Sequence, residues 1–369
     1  MIRTATKAAR LAGGALGVAW ACCACLFLPD LASHGYASCA DDSECPAGRF
    51  CDQSLCAPPP WHDQSFGARR AVIVENSALT PIPAGAAVPL VVGGDGGALS
   101  LAELGASFRF ADFDRASASW RVVPVYLDRE SDRFIAWIPV ARAVPPGGSD
   151  VLVFIESNAA DGLPHVTEDA AATFEHWQGF DAALDEGWFQ SPAGGPVVQD
   201  GVVNVAGNQA IVWQTPLVPP VLVTLVARIN GATCDEVFLG LIGDDRGLFQ
   251  VPPEAGLFVG ADLAASAQVA PTADSTPTNV GDGLQAINAM ERTTVAIDGG
   301  GVLITHGDTV AFADPDVRPP FGVDPLYLAV QVGGTCSVDV EALWATALPQ
   351  PLPTVVVQPP VTFNLAFEN

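Results

Sequence analysis

The sequence predicts an all-β protein with two β-sandwich modules that follow a small disulfide-rich segment. Apolar and polar residues alternate through residues 107–162, as in Val123, Val125 and Leu127, and this period is typical of strands with one buried face. Short β-rich runs separated by turn signals recur through residues 172–347. The chain also has 36 glycines and 31 prolines, which suit tight turns. With 369 residues it is long enough for two or three domains.

The charge argues against two classes of partner. The formal net charge is −25, from 41 acidic against 16 basic residues. Because nucleic acids and anionic membranes are bound through clustered basic side chains, this field would repel both. We therefore predict no nucleic-acid partner and no membrane contact through charge.

The N-terminus has the pattern of a secretory signal. Arg3, Lys7 and Arg10 precede an uncharged apolar run over residues 11–28, and Gly35 and Ala37 then supply small residues at the −3 and −1 positions of a cleavage site. The run also reaches the lower length limit of a membrane span, so an uncleaved anchor is one alternative. A cysteine cluster inside it raises lipid attachment as another. We predict export to the periplasm, the cell surface or the medium.

Six cysteines lie beyond this segment, an even number that predicts disulfides in an exported protein: Cys39, Cys45, Cys51, Cys56, Cys234 and Cys336. The first four fall in a polar segment too short to build a core, so two bridges are expected there, with all three connectivities open. A zinc site is the alternative, but the spacing lacks paired CxxC motifs. The last two lie in separate strand regions, and a bridge between them predicts that these regions meet.

The chain divides by composition into five parts. They are a signal peptide (1–37), a cysteine-rich segment with a proline linker (38–60), a first β-sandwich (61–165), a second β-sandwich (172–347) and a proline-rich tail (348–369). The tail is too short for another domain, and we expect it either to dock as an edge strand or to stay extended.

Three motifs of the first module, SFRFADFD (107–114), AWIP (136–139) and IESNAA (155–160), occur in an order that resembles the domain-of-unknown-function family 2341 of bacterial and archaeal surface proteins. The chain has IESN where that family usually has Tyr-Tyr-Gly-Asn. The preceding cysteine pattern is similar to a small motif of deltaproteobacterial surface proteins. The family has no established activity, so the resemblance implies architecture.

In the second module, FDAALDEGW (180–188), DGVVNV (200–205) and VDVEALW (338–344) occur in an order similar to concanavalin-A-like and laminin-G-like jelly rolls. This resemblance implies a jelly roll and makes glycan the leading ligand.

The residues predict no catalytic activity. Glycosidases on this kind of fold typically carry an ExDxxE run, which is absent here, as are GxSxG and HExxH motifs. Asp339 and Glu341 would share one face of a strand, and they keep a glycan-active hydrolase as an alternative. No cofactor is predicted. Calcium stays open because Asp112 and Asp114 end a strand, although no DxDxDG loop follows and a solvated turn is favoured.

We predict recognition of an extracellular ligand, with a glycan or a surface protein as partner. Tryptophan rings can stack on sugars while acidic and basic side chains bond the hydroxyls, which selects Trp188, Trp213, Asp244, Asp245 and Arg246 as the binding residues. The competing interpretation has both tryptophans in a core and the acidic loop in solvent. The alternative function is a structural or adhesion component of the envelope that binds no small ligand.

Overall fold

The computed structural model divides into two compact units, Met1–Asp63 and Gln64–Asn369. The residues that it describes are 38–40, 44–45, 49–52, 55–57, 59–60, 62, 65–94, 97–114, 116–129, 132–158, 166–184, 186–191, 195–231, 234, 236–243, 255–260, 264–269, 278–279, 284–285, 288–298, 301–307, 309–314 and 325–362. The predicted signal peptide lies outside them. In the described part of the chain, no helix has the length and apolar character needed to cross a membrane. Both predicted sandwich modules fall in the second unit, so their boundaries stay predictions.

The described elements are almost all strands. The first nine strands and two short helices are β1 (Phe50–Asp52), β2 (Leu55–Ala57), β3 (Ala68–Glu75), β4 (Ala87–Gly93), α1 (Leu101–Leu104), β5 (Ser107–Asp114), β6 (Ser119–Val122), β7 (Tyr126–Arg129), β8 (Arg133–Pro139), β9 (Ser149–Asn158) and α2 (Ala170–Thr173). The remaining strands are β10 (His176–Gly179), β11 (Trp188–Ser191), β12 (Val197–Gln199), β13 (Val202–Ala206), β14 (Ala210–Leu217), β15 (Val221–Asn230), β16 (Glu236–Ile242), β17 (Ala255–Gly260), β18 (Ala264–Val269), β19 (Thr278–Asn279), β20 (Leu284–Gln285), β21 (Glu291–Asp298), β22 (Gly301–His306), β23 (Thr309–Asp314), β24 (Leu326–Gly333), β25 (Ser337–Thr346), β26 (Thr354–Val357) and β27 (Val361–Thr362).

The first unit is a two-stranded hairpin held by two disulfides. Cys51 and Cys56 are opposite each other in the β1–β2 pair. Cys39 bridges to Cys51 and Cys45 bridges to Cys56, which selects one of the three connectivities that the spacing left open. Sulfur atoms of Cys39, Cys45 and Cys56 lie within 4.8 Å of one another because the two bridges are neighbours.

The first sandwich contains strands from both ends of the second unit. One sheet has the order β26-β3-β9-β5-β6, with β27 also paired to β3, and the other has the order β4-β8-β7. Alternate residues such as Val72, Leu90 and Phe110 are fully buried between the sheets. The tail therefore docks as an edge strand, with Val356 opposite Ile73, and returns the chain to the first sandwich.

The second sandwich consists of two eight-stranded sheets. The proximal sheet has the order β12-β13-β25-β15-β21-β22-β23, with β10 also paired to β25. The distal sheet has the order β11-β14-β24-β16-β17-β18-β19, with β20 also paired to β18. Every second residue of β15, from Val221 to Ile229, contributes to the core between them. The predicted fold class, an all-β protein with a jelly-roll-like second sandwich, is confirmed.

The third disulfide links the two sheets of the second sandwich. Cys234 precedes β16 of the distal sheet and Cys336 precedes β25 of the proximal sheet, with 4.7 Å between their Cα atoms. Both cysteines are buried against the core. The regions of the two cysteines meet as the sequence predicted, although they are 102 positions apart.

The two sandwiches share a buried aromatic seam, which we define as Tyr126, Trp137, Phe174, Trp177 and Trp344. Trp344 comes from the outer face of the proximal sheet and is fully buried. Its ring centroid lies 5.2 Å from that of Tyr126 and 5.4 Å from that of Phe174. Strand β25 is thus apolar on both faces. Leu343 and Ala345 enter the core of the second sandwich, while Ala342 and Trp344 pack against the first sandwich.

Candidate functional site

A polar cleft of about 510 Å³ opens beside the aromatic seam, where β7 faces the proximal sheet. We call it the inter-sandwich cleft. It is lined by Tyr126, Asp128, Arg129, Val226, Met290, Glu291, Arg292, Gly307, Glu341 and Ala342. The first three come from the first sandwich and the other seven from the second, so the cleft exists only where the two meet.

A β-bulge explains how Glu341 reaches the cleft. Val226 of β15 is paired with Ala342, whereas the next residue, Ala227, is paired with Val340. Glu341 is therefore an extra residue between two paired positions, and it is exposed. Asp339 and Glu341 therefore have different surroundings. Asp339 lies in a hydrogen-bond network beside the cleft, and Glu341 lines the cleft itself.

The phenol of Tyr126 is surrounded by carboxylates of both sandwiches. Burial raises its pKa above the usual range, and the negative charges of Asp128 and Glu341 raise it further, whereas Arg292 acts in the opposite direction. The hydroxyl therefore stays protonated and can donate a hydrogen bond at any physiological pH. Asp128 of β7 and Glu341 of β25 are therefore both close enough to Tyr126 to act on its phenol electrostatically.

Two ion pairs hold the arginines of the cleft. Arg292 of β21 pairs with Asp128 of β7, and both side chains are mostly buried, so this pair bridges the two sandwiches. Arg129 donates to both oxygens of Glu168, with Nη1–Oε2 and Nη2–Oε1 distances of 2.6 Å each. Bidentate pairing fixes the plane of a guanidinium and orients the N–H groups that remain.

A buried histidine lies beside Glu291. Nε2 of His306 lies 3.0 Å from Oε2 of Glu291, and Nδ1 lies 3.1 Å from Oγ1 of Thr293. Burial lowers the pKa of His306 below its ordinary value, although the charge of Glu291 opposes this. The imidazole is therefore neutral at pH 7. Glu291 is held between this ring and Gly307 at the edge of the cleft.

The histidine predicts a pH dependence of stability. Since its pKa in the folded state lies below the unfolded value of about 6.5, the unfolded chain binds the proton more readily, and stability falls as the pH drops below about 6.5. His306→Gln should flatten the pH dependence of the denaturation midpoint between about pH 5 and 7. His176→Gln, at a more exposed histidine, is the control. Equal pH slopes for the wild type and His306→Gln would contradict this expectation.

The predicted binding tryptophans are not at the cleft. Trp188 and Trp213 are opposite each other in the β11–β14 pair, each is 6% exposed, and their rings stack in the core with centroids 6.2 Å apart. Neither ring has a face open to a sugar. Asp244, Asp245 and Arg246 lie outside the described residues.

The two aspartates considered for calcium make local contacts. Asp112 pairs with Arg121 across the β5–β6 hairpin, at 3.0 Å. Asp114 accepts hydrogen bonds from the Ser117 hydroxyl and the Ala116 N–H, and these bonds hold the pKa of its carboxyl below the usual range. Within the described ranges, the one group close enough to share a metal ion is the cysteine trio that already forms disulfides.

Sequence reasoning missed the cleft because its lining comes from four separate strands and two loops. No two of its carboxylates belong to a recognisable motif. One signal was present: in VDVEALW, the core positions Val340 and Leu343 are three apart, which breaks the alternation and marks Glu341 as a bulge.

No protein-family model matches the chain, and no curated protein matches it. Solved structures match just under half of it. The exoplasmic/lumenal domain of VIP36, in its Ca²⁺/Man3GlcNAc-bound form, has a TM-score of 0.39 and 12% identity over 49% of this chain and 99% of that one. An endo-β-1,3-glucanase from Pyrococcus furiosus has a TM-score of 0.38 and 8% identity over 47% and 94%. A lichenase from a mouse hindgut metagenome has a TM-score of 0.37 and 10% identity over 46% of this chain and 97% of that one.

These structures are concanavalin-A-like and glycoside hydrolase jelly rolls, and the family resemblances of the first module and the cysteine motif stay predictions. The finding corrects one expectation. The sequence predicted a protein without catalytic activity, and the matched structures include glucanases as well as a glycan-bound lumenal domain. The non-catalytic assignment is therefore withdrawn. The absence of an ExDxxE run concerns one strand, so it is no basis for excluding catalysis by the chain as a whole.

Proposed function

We propose that the protein is exported and binds a neutral, hydroxyl-rich glycan in the inter-sandwich cleft. The observation that carries this proposal is a polar cleft of about 510 Å³ to which both sandwiches contribute side chains. Its volume lies within the range of small-ligand sites, about 300–1,000 Å³.

The chemistry of the lining supports a polyhydroxylated ligand. Sugar hydroxyls both donate and accept hydrogen bonds, so a suitable site offers both kinds of partner. Asp128 and Glu341 supply carboxylate acceptors, and the guanidinium of Arg292 and the protonated phenol of Tyr126 supply donors. Such an ionic lining does not suit a lipid or another apolar ligand.

The charge supports a neutral ligand over an anionic one. The lining residues include three carboxylates, Asp128, Glu291 and Glu341, against two arginines, and the chain as a whole has a formal charge of −25. Nucleic acids, phosphates and sulfated or uronic-acid glycans would be repelled. An aminated glycan is the alternative that the test must separate.

The three disulfides support export, because such bridges persist in oxidising compartments. We place the protein at the cell surface, in the periplasm or outside the cell. The competing proposal is an envelope component that holds other proteins and binds no small ligand.

The test is a glycan array that includes neutral, anionic and aminated glycans. We expect the oxidised protein to bind neutral glycans, and we expect Glu341→Gln to weaken this binding about tenfold or more, since hydrogen bonds to charged groups contribute roughly 1.5–3 kcal/mol. The matched control is Glu75→Gln, at an exposed glutamate that ends β3 away from the cleft. Binding to aminated glycans alone, equal binding by Glu341→Gln, or no binding by folded protein would each contradict the proposal.

Hydrolysis of the bound glycan is a second candidate, favoured by Glu291 and Glu341. Glycosidases need two carboxyl groups beside the scissile bond, and these residues line one cleft from two strands. Glu291 also contacts His306, with 3.0 Å between Oε2 and Nε2, whereas Glu341 is exposed on its bulge. Release of reducing ends from an array-positive glycan, lost in Glu291→Gln while binding persists, would establish this activity. Binding without release would exclude it for that glycan.

A further inference from the structure

The first sandwich covers only part of the outer face of the proximal sheet. Leu222 and Trp344 are buried in the contact between the sandwiches. Further along the same two strands, Arg228 and Asp339 line a shallow depression of about 290 Å³ together with Val197, Gln199, Asp200, Val202 and Asn204. This stretch of the sheet is open to solvent at its rim, where Gln199 and Asp200 are exposed.

The floor of the depression is a row of side chains on three adjacent strands. Asp339 of β25 accepts from Asn204 of β13 at 2.6 Å and from the Nη2 of Arg228 on β15 at 2.6 Å. It also accepts from Asn230 at 2.8 Å. Although burial acts to raise the pKa of Asp339, these three donors hold it below its usual range, so the carboxylate stays charged.

The row is electrically balanced and still has hydrogen-bonding capacity. Within the row one carboxylate is matched by one guanidinium, and Asp200 at the rim adds a second carboxylate, so the depression disfavours an anion as occupant. The Arg228 side chain is 43% exposed, whereas that of Asp339 is 14% exposed. Arg228 bonds Asp339 through Nε and Nη2, and a guanidinium has five N–H donors in total. A flat row of oriented amide and guanidinium groups suits the hydroxyls of a neutral sugar.

The depression and the inter-sandwich cleft lie next to each other on the same strands. On β15, Val226 lines the cleft and Arg228 lines the depression; on β25, Glu341 and Asp339 do the same. Positions two residues apart along a strand are separated by about 7 Å, so one ligand can contact both.

We propose that the depression is a second subsite, and that the ligand is an extended neutral glycan chain that runs from the cleft past Glu341 to Arg228. This inference rests on the proposed glycan-binding function, and it adds that chain length matters. A single sugar would fill the cleft alone, whereas an oligosaccharide would also bond the row around Asp339.

The experiment measures affinity by calorimetry for laminari-, cello- and malto-oligosaccharides, from the disaccharide to the hexasaccharide. We expect affinity to rise at least about tenfold with length, and Arg228→Gln to remove most of that rise while it leaves disaccharide binding unchanged. A second variant, Gln199→Ala, changes an exposed residue of the depression, and it tests the same subsite without disturbing the Arg228–Asp339 ion pair. The control is Arg142→Gln, which breaks a comparable Arg–Asp pair, with Asp150, in the first sandwich.

The outcomes separate the two proposals. Binding that does not depend on length, or a rise that persists in both Arg228→Gln and Gln199→Ala, would overturn the second subsite and leave the cleft intact. If the wild-type protein is folded by its thermal midpoint and binds neither these oligosaccharides at any length nor any neutral glycan of the array, the glycan-binding function itself is overturned, and the subsite with it.

Discussion

Trp344→Ala is expected to destabilise the protein by about 3–5 kcal/mol and to separate the unfolding of the two sandwiches. The indole is fully buried and has four aromatic neighbours in the seam, so its removal leaves a large cavity between the sandwiches. In the wild type we expect one cooperative calorimetric transition, because apolar packing is continuous from the first sandwich into the outer face of β25. The variant should show two.

Trp188→Ala is the matched control for this prediction. It removes an equally large buried ring, but one that packs only within the second sandwich against Phe180 and Trp213. We therefore expect a similar loss of stability without the appearance of a second transition. If Trp344→Ala lowered the midpoint and kept a single transition like that of Trp188→Ala, the seam would not couple the sandwiches.

Strand identity was predictable because it depends on local pattern. The alternation in β15 gives its core face directly, and the Asp200-Gly201 turn, with both residues at positive φ, closes the β12–β13 hairpin. The Cys234–Cys336 bridge was predictable because, once the four clustered cysteines are paired among themselves, only these two remain. These features involve one strand, one turn or one pair at a time.

The seam and the cleft were not predicted because they depend on how two modules meet. One signal for the seam was available: Ala342-Leu343-Trp344-Ala345 is an unbroken apolar run, which is typical of a strand buried on both faces. The apolar tail strand β26 can likewise be recognised in the sequence. Nothing local indicates that it pairs with β3, because β3 lies near the other end of the second unit in sequence. The tryptophans chosen for sugar stacking illustrate the same limit, since ring exposure depends on tertiary packing.

A consequence of this assembly is that the proposed site depends on the seam. Tyr126 belongs to both, and the Arg292–Asp128 pair joins the sandwiches across the cleft. Glu341 and Asp128 lie far apart in sequence, so their relative position depends on how the two sandwiches pack. Glycan binding should therefore respond to Trp344→Ala even though the ring lies outside the cleft.

Glu156→Gln is expected to cost about 3–5 kcal/mol, as is typical when one partner of a buried ion pair is neutralised. Glu156 is fully buried on β9 between Arg69 of β3 and Arg109 of β5, its register partners on either side. The Nε of Arg109 lies 2.7 Å from Oε2 of Glu156. Burial lowers the pKa of Arg69 to about 10, and the charge of Glu156 limits this effect.

Aromatic rings contribute to the burial of this row and keep water from its charges. The Arg109 guanidinium lies 4.3 Å from the centroid of Phe66, and that of Arg69 lies over the rings of Trp120 and Phe154. Glutamine keeps the shape of Glu156 and removes its charge, so two buried guanidiniums would lose the carboxylate that lies between them. The measurement is the urea midpoint relative to Glu75→Gln, an exposed change in the same sheet that should stay within about 0.5 kcal/mol of wild type. A loss below about 1 kcal/mol in Glu156→Gln would mean that water reaches the row, and that the stability of the first sandwich rests on its apolar core alone.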